Sequence, residues 1–173
     1  GWLQRSAIVS EAVPAARSLD LYIRDELASV TGPGRRAIRQ ALIGNLARCS
    51  ARMHDRRFVH NDFYWRNILI SHGSLQRFYL IDAHRGHRWW FNGRRHRIKD
   101  LATLDAPAPA YFRRSERMRF LLDYLGLTRL RTADKRLVRA ILQAAEPMRE
   151  RQLRRVADAK TEPLPAIRTD QDS

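Results

Sequence analysis

The run Phe58-Val59-His60-Asn61-Asp62-Phe63-Tyr64-Trp65-Arg66-Asn67-Ile68-Leu69-Ile70 places an Asp between two short apolar stretches, with a His two residues before it and an Asn five residues after it. Further on, Phe78-Tyr79-Leu80-Ile81-Asp82 ends a second apolar run on another Asp. The spacing H-x-D-x-x-x-x-N, then a strand and a lone Asp, suits a phosphotransferase catalytic loop. Phosphoryl transfer depends on positioning and charge neutralisation, so oxygen ligands for a hard cation are its core apparatus. Asp62 can meet the substrate hydroxyl as base or orienting acceptor. Asn67 offers a neutral amide oxygen and Asp82 an anionic one, together able to hold Mg²⁺ on the phosphates of ATP. Singly, each of these residues would serve as an ordinary turn residue. Jointly they fix two spacings inside the right apolar context.

The elements that must position this loop follow from periodicity. Leu19, Leu21-Tyr22-Ile23 and Leu27 suggest a short amphipathic helix capped by the Ser18 hydroxyl and stopped at Gly32-Pro33-Gly34. Ala37-Ile38, Ala41-Leu42-Ile43, Leu46-Ala47 and Met53 recur at helical spacing and predict a buried helix over 35–54. Strands are predicted over 68–71 and 77–82, joined by Ser71-His72-Gly73-Ser74 as a hairpin turn. His84 to Gly93 reads as a polar and aromatic loop carrying Trp89-Trp90-Phe91, which either packs that loop onto the body or offers an interfacial surface; packing is the commoner outcome. Helices are predicted to begin at Ile98, ending before Pro107-Ala108-Pro109, and to span 115–125 and 133–157, split by Gly126, with Pro147 a candidate kink. His84 and His87 form no zinc site by spacing, since no third ligand accompanies them.

At these residues the chain resembles the bacterial lipopolysaccharide kinases, which share the protein-kinase fold. The likeness lies in His60-Asn61-Asp62-Phe63-Tyr64, in Leu80-Ile81-Asp82-Ala83-His84-Arg85, in Arg97-Ile98-Lys99-Asp100-Leu101-Ala102-Thr103-Leu104, and in Met53-His54 ahead of the loop. It covers approximately residues 7–125. The resemblance implies an α+β, mostly helical C-terminal lobe with a small β-hairpin, over residues 1–160, while the Pro- and Asp-bearing composition of 161–173 reads as a disordered tail. It implies His60, Asp62, Arg85 and Asp100 as catalytic-loop residues, with Asp100 buttressing the loop by accepting backbone N–H bonds. Asp82 and Arg85 match the family's I-D-x-x-R element. Asn67 and Asp82 would bind Mg²⁺ and ATP, and the backbone of a connector at Glu11 to Val13 would meet the adenine edge. The implied reaction is phosphorylation of a heptose or Kdo hydroxyl of the lipopolysaccharide inner core, at the cytoplasmic face of the inner membrane.

Three departures accompany the likeness. Asn61 stands where many kinases carry the Arg of H-R-D, no A-P-E follows Asp82, and no G-x-G-x-x-G occurs. The chain begins with Gly and only Gly1 to Val13 precedes the first helical stretch, so the sequence reads as a C-terminal lobe that lacks most of its N-terminal lobe and is inactive or nearly so alone. Thirty-three Lys and Arg against 18 Asp and Glu give a formal charge of +15. Such an excess either occupies solvated faces with no partner or seeks polyanions: an anionic lipid surface, a phosphorylated glycolipid or nucleic acid, of which the kinase motifs disfavour the last. The single Cys49 excludes an internal disulfide and reads as a small core residue. No apolar run reaches the ~18 residues of a transmembrane helix. Two rival functions share features with this reading. A small-molecule phosphotransferase of the aminoglycoside or choline type has the same loop spacing, though such enzymes often carry acidic substrate pockets. A non-catalytic polyanion binder needs the charge alone, and has no use for Asp62, Asn67 and Asp82 together.

Overall fold

A computed structural model describes residues 13, 16–71, 76–91 and 93–161. Strand β1 (Ala16–Ser18) runs into a short helix α1 (Leu19–Leu21) that widens into a π-helical turn over Tyr22–Leu27. Helix α2 (Arg35–Asp55) follows, then β2 (Phe58–Val59), a 3-10 turn at Trp65–Asn67, and the strands β3 (Ile68–Ser71) and β4 (Arg77–Leu80). A 3-10 turn at Ala83–Arg85 and strand β5 (His87–Arg88) lead to α3 (Gly93–Asp105), a turn at Ala108–Ala110, α4 (Arg114–Leu125) and α5 (Thr132–Thr161). The result is mostly helical with two small antiparallel sheets.

In the larger sheet β3 is central, paired with β1 through Arg17↔Ile70 and with β4 through Leu69↔Tyr79. Ile68 and Ile70 point into the core and Leu69 and Ser71 lie half-buried, the two-residue period of a one-sided sheet. Residues 72–75, the expected hairpin turn, lie outside the described residues. The second sheet pairs β2 with β5 (Phe58↔Arg88, Val59↔His87). Two residues per strand are too few to show as a periodic pattern, so β5 falls where the sequence suggested only a loop.

Helix α2 is the spine of the molecule. Leu42, Leu46 and Met53 face a core shared with Leu19, Leu27, Phe63, Trp65, Ile68, Ile70 and Leu104. One turn round, Ala47 joins Leu101, Tyr124 and Ile141 in a second cluster that holds α3, α4 and α5 against it. Helix α4 is closed at both ends by local chemistry. The Arg113 N–H donates to the Glu116 carboxylate at 2.8 Å, and Gly126 takes the left-handed φ of 64° that ends the helix.

Several expectations are corrected. Ser18 makes no side-chain cap to its helix. Helix α3 begins at Gly93, five residues before Ile98, so Asp100 lies inside the helix and not at its start. Strand β4 stops at Leu80, and Asp82 lies beyond it in a left-handed conformation (φ 56°, ψ 42°). Helix α5 runs through Pro147 and on to Thr161. Residues 162–173 lie outside the described residues.

Candidate active site

The loop His60–Asn67 leaves β2 and returns as β3, and its shape is set by one buried carboxylate. Asp100 of α3 is fully buried and accepts the backbone N–H of His60 at 2.8 Å on one oxygen and that of Asn61 at 2.9 Å on the other. His54, at the end of α2, adds a third bond to Asp100 from Nε2 at 3.3 Å. Its Nδ1 lies 2.9 Å from the Tyr124 hydroxyl of α4. A carboxylate can only accept here, so Nε2 carries a proton, and in the neutral imidazole Nδ1 then accepts from the Tyr124 hydroxyl. The chain Tyr124–His54–Asp100 thus ties three helices to the loop backbone. Burial pushes the Tyr124 hydroxyl up to about 12, which keeps it a donor at neutral pH.

Asn61 explains its own residue type. Its φ of 65° is left-handed, a conformation Asn tolerates better than most residues. Its side-chain amide donates to the Arg85 carbonyl at 2.8 Å and to His87 Nδ1 at 3.1 Å, while Lys99 donates to its oxygen at 3.4 Å. The position that suggested only a missing Arg is a clamp between the loop, the segment after Asp82, and α3.

The same loop carries Asp62 and Asn67, two of the three residues picked out for chemistry, and is bonded to the peptide beside the third, Asp82. The Asn67 side-chain N–H donates to the Asp62 carbonyl at 2.9 Å, and the Asn67 carbonyl accepts the Ile81 N–H at 3.0 Å. His60, fully buried, donates from Nε2 to the Ile81 carbonyl at 2.9 Å, which locks the peptide preceding Asp82 to the loop. Asp62 and the Asp82 segment are therefore held together through His60 and Asn67. The Asp62 carboxylate is 18% exposed and 3.6 Å from the Arg85 guanidinium. Asp82 is 58% exposed and accepts a bond from His84 Nδ1 at 2.7 Å.

The donor set fits a magnesium–nucleotide site. Because the Asn67 amide nitrogen is committed to Asp62, its oxygen is the atom left for a cation, and Asp82 keeps a second carboxylate oxygen beside the one His84 engages. Among the described residues no three His, Cys, Asp or Glu converge on one point. Mg²⁺ needs no such cage, since phosphates and water supply most of its ligands. Val13 is half-buried ahead of β1, and Glu11 lies outside the described residues. Cys49 is half-buried in α2 with its thiol raised by burial, as a packed thiol should be.

Trp89, Trp90 and Phe91 divide. Trp89 is buried under the Arg97 guanidinium, whereas Trp90 and Phe91 are 79% and 85% exposed, so packing accounts for only the first of the three. Sequence reasoning gave no chemical role to His54, and none at all to Tyr124. Position at the end of the helix before the loop was the one available signal for the former.

The model of the lipopolysaccharide kinase (Kdo/WaaP) family matches residues 1–124. Among solved structures, the chain is similar to WaaP in its complex with acyl carrier protein, at 25% identity and a TM-score of 0.64. That likeness covers 81% of this chain and 58% of the WaaP chain, so the present chain spans somewhat more than half of its relative's length. The matching portion is the mostly helical C-terminal lobe of a kinase-like fold. No curated protein sequence matches the chain.

Proposed function

The chain belongs to the lipopolysaccharide kinase (Kdo/WaaP) family, and we propose that it carries the catalytic loop of an ATP-dependent phosphotransferase acting on a heptose or Kdo hydroxyl of the lipopolysaccharide inner core. The carrying observation is the hydrogen-bonded unit of Asp62, Asn67 and the Ile81–Asp82 segment, mounted on Asp100. In this reading Asp62 accepts a hydrogen bond from the sugar hydroxyl and aims its oxygen at the γ-phosphorus. As the new P–O bond forms and the bond between the γ-phosphorus and the bridging oxygen breaks to release ADP, the hydroxyl proton has the Asp62 carboxylate as its acceptor. Arg85, 3.6 Å from Asp62, is the cationic partner that orients that carboxylate. Asn67 and Asp82 would hold Mg²⁺, which supplies charge neutralisation on the phosphate oxygens when bound. The positioning residues are Asp100 and His60, which keep the loop and the Asp82 segment in one register.

The reaction expected of this site is tested by transfer of labelled γ-phosphate from ATP to deacylated core lipopolysaccharide. The protein assayed is this chain joined to the N-terminal lobe of a family member, which provides the phosphate-gripping Lys and loop that such transfer requires. Asp62→Asn should lower turnover by on the order of 10²–10⁴-fold, the usual worth of a general base. Transfer to aminoglycosides or choline in place of core sugars would overturn the substrate assignment. Full turnover by Asp62→Asn would overturn the role of the loop.

A further inference from the structure

Beside the loop, the segment joining β5 to α3 presents a surface that the phosphotransfer reading does not use. Trp90 and Phe91 project from it, 79% and 85% exposed. Trp89 is buried, its N–H donates to the Arg57 carbonyl at 3.0 Å, and its ring lies against Arg97. A side chain at Gly93 would collide with the Trp89 indole, so the glycine is what allows Trp89 to seat. Trp89 is thus seated while the next two rings face water. Phe91 has no polar atom to justify that exposure, and a paired exposed patch of this kind marks a contact surface.

Charge says what the contact is. Arg56, Arg57 and Arg88 are exposed on one flank of the tip, and Arg94 and Arg95 on the other, in the first turn of α3. None of the five makes an ion pair with a carboxylate of the described residues, in contrast to Arg17, Arg39, Arg117 and Arg149. Asp55, which lines the same hollow as Arg56, Arg57 and Arg88, is 3.7 Å from Arg97. Two half-wet aromatics ringed by free guanidiniums match the chemistry of an anionic bilayer surface. Indole and phenyl rings enter the headgroup boundary while Arg meets lipid phosphates.

We propose that Trp90 and Phe91, with the flanking arginines, are the docking tip that seats this chain on an anionic membrane. The proposal rests on the lipopolysaccharide-kinase reading only for its usefulness. Asn61 bonds both the Arg85 carbonyl and His87, so a tip seated in the bilayer fixes the height of Asp62 above it and selects acceptors that are themselves lipid-anchored.

The test uses the full chain, with no nucleotide and no lipopolysaccharide, so that its failure is independent of the catalytic assignment. Sedimentation with phosphatidylcholine vesicles, with and without phosphatidylglycerol, should show binding to the anionic vesicles that weakens with salt. The double variant Trp90→Ala/Phe91→Ala and the double variant Arg94→Glu/Arg95→Glu should each reduce that binding on the order of tenfold or more. Because a chain this basic could adhere through any face, acyl-chain-brominated phosphatidylcholine mixed with phosphatidylglycerol provides the second readout. It should quench the wild-type fluorescence, and Trp90→Phe should remove most of that quenching. Unchanged binding in the Trp90/Phe91 variant, or quenching that survives Trp90→Phe, would overturn the proposal. So would concentration-dependent self-association, or binding to a short RNA, that is lost in the Trp90/Phe91 variant while vesicle binding persists.

Discussion

At the scale of single residues, the loop depends on Asp100 more than on any residue placed to react. A fully buried carboxylate with three donors directed at it leaves those donors unpaired if it is lost. Asp100→Asn keeps the shape but turns an NH₂ toward an N–H or the His54 ring, and should cost about 2–4 kcal/mol in urea unfolding, at the scale of stranded buried donors. A cost below about 0.5 kcal/mol, the level of ordinary surface changes, would mean that the loop holds itself. Asn61 separates two contributions. Its left-handed backbone (φ 65°) suits Gly, while its side-chain bonds to Arg85 and His87 do not survive either truncation. Asn61→Ala should therefore be less stable than Asn61→Gly by about 1 kcal/mol, the cost of forcing a β-carbon into that conformation. Equal stabilities in thermal melts would remove the strain argument. The sequence made Asp62, Asn67 and Asp82 stand out because their chemistry sits at short, fixed spacings. It could not give Asn61 its role, since a clamp is defined by the carbonyl it reaches, 24 residues away.

At the scale of elements, legibility followed period and length. The α2 helix repeats its apolar residues over five turns and was readable almost to the residue, as Arg35–Asp55 against 35–54. The start of α3 was not, because Gly93-Arg94-Arg95-His96-Arg97 has no apolar stripe to mark it as helix. The same displacement puts Asp100 one turn and more inside the helix. It therefore reaches the loop as a buried acceptor and is not an exposed cap. The α2–α3–α4 joint built on it titrates at alkaline pH. The Tyr124 pKa is raised from 10.0 to about 12, chiefly by burial, with Arg97 pulling it down and the Asp55 and Asp100 charges adding to the rise. A folded-state value above the unfolded one means that the contribution to stability is complete below pH 10. It falls away as pH rises from there through 12, by up to about 3 kcal/mol at 1.36 kcal/mol per unit. Tyr124→Phe has no such proton to lose. Its stability, lower than wild type at pH 8 through the lost bond to His54, should decline less between pH 9.5 and 11.5 in chemical denaturation. Parallel pH profiles for the two proteins would exclude Tyr124 as the alkaline-sensitive member of the joint.

At the scale of the molecule, the excess of Arg resolves into two populations that no sequence window could separate. Arg39 grips Glu116 from 77 residues away, holding its carboxyl below the usual carboxylate range, and Arg117 and Arg149 meet on Asp105 from 12 and 44 residues away. These arginines join helices, while Arg56, Arg57, Arg88, Arg94 and Arg95 around the Trp90–Phe91 tip pair with no carboxylate of the described residues. Asp105 is the more central joint, since it lies on α3, takes a two-pronged grip from Arg117 of α4 at 2.8 and 2.6 Å, and accepts Arg149 of α5 at 3.5 Å. Its side chain is 18% exposed, between the regimes in which ion pairs count for little and in which a broken pair is costly. Asp105→Asn should accordingly cost about 1–3 kcal/mol in urea unfolding, with the denaturant slope unchanged. The loss should not be evenly felt. Helix α5 packs chiefly on α3, so amides of α5 should exchange faster than those of α2, whose attachment runs through the Leu42–Leu46–Met53 face. Hydrogen exchange that rises equally in both helices would show the molecule opening as a single unit, with Asp105 contributing only to its overall stability.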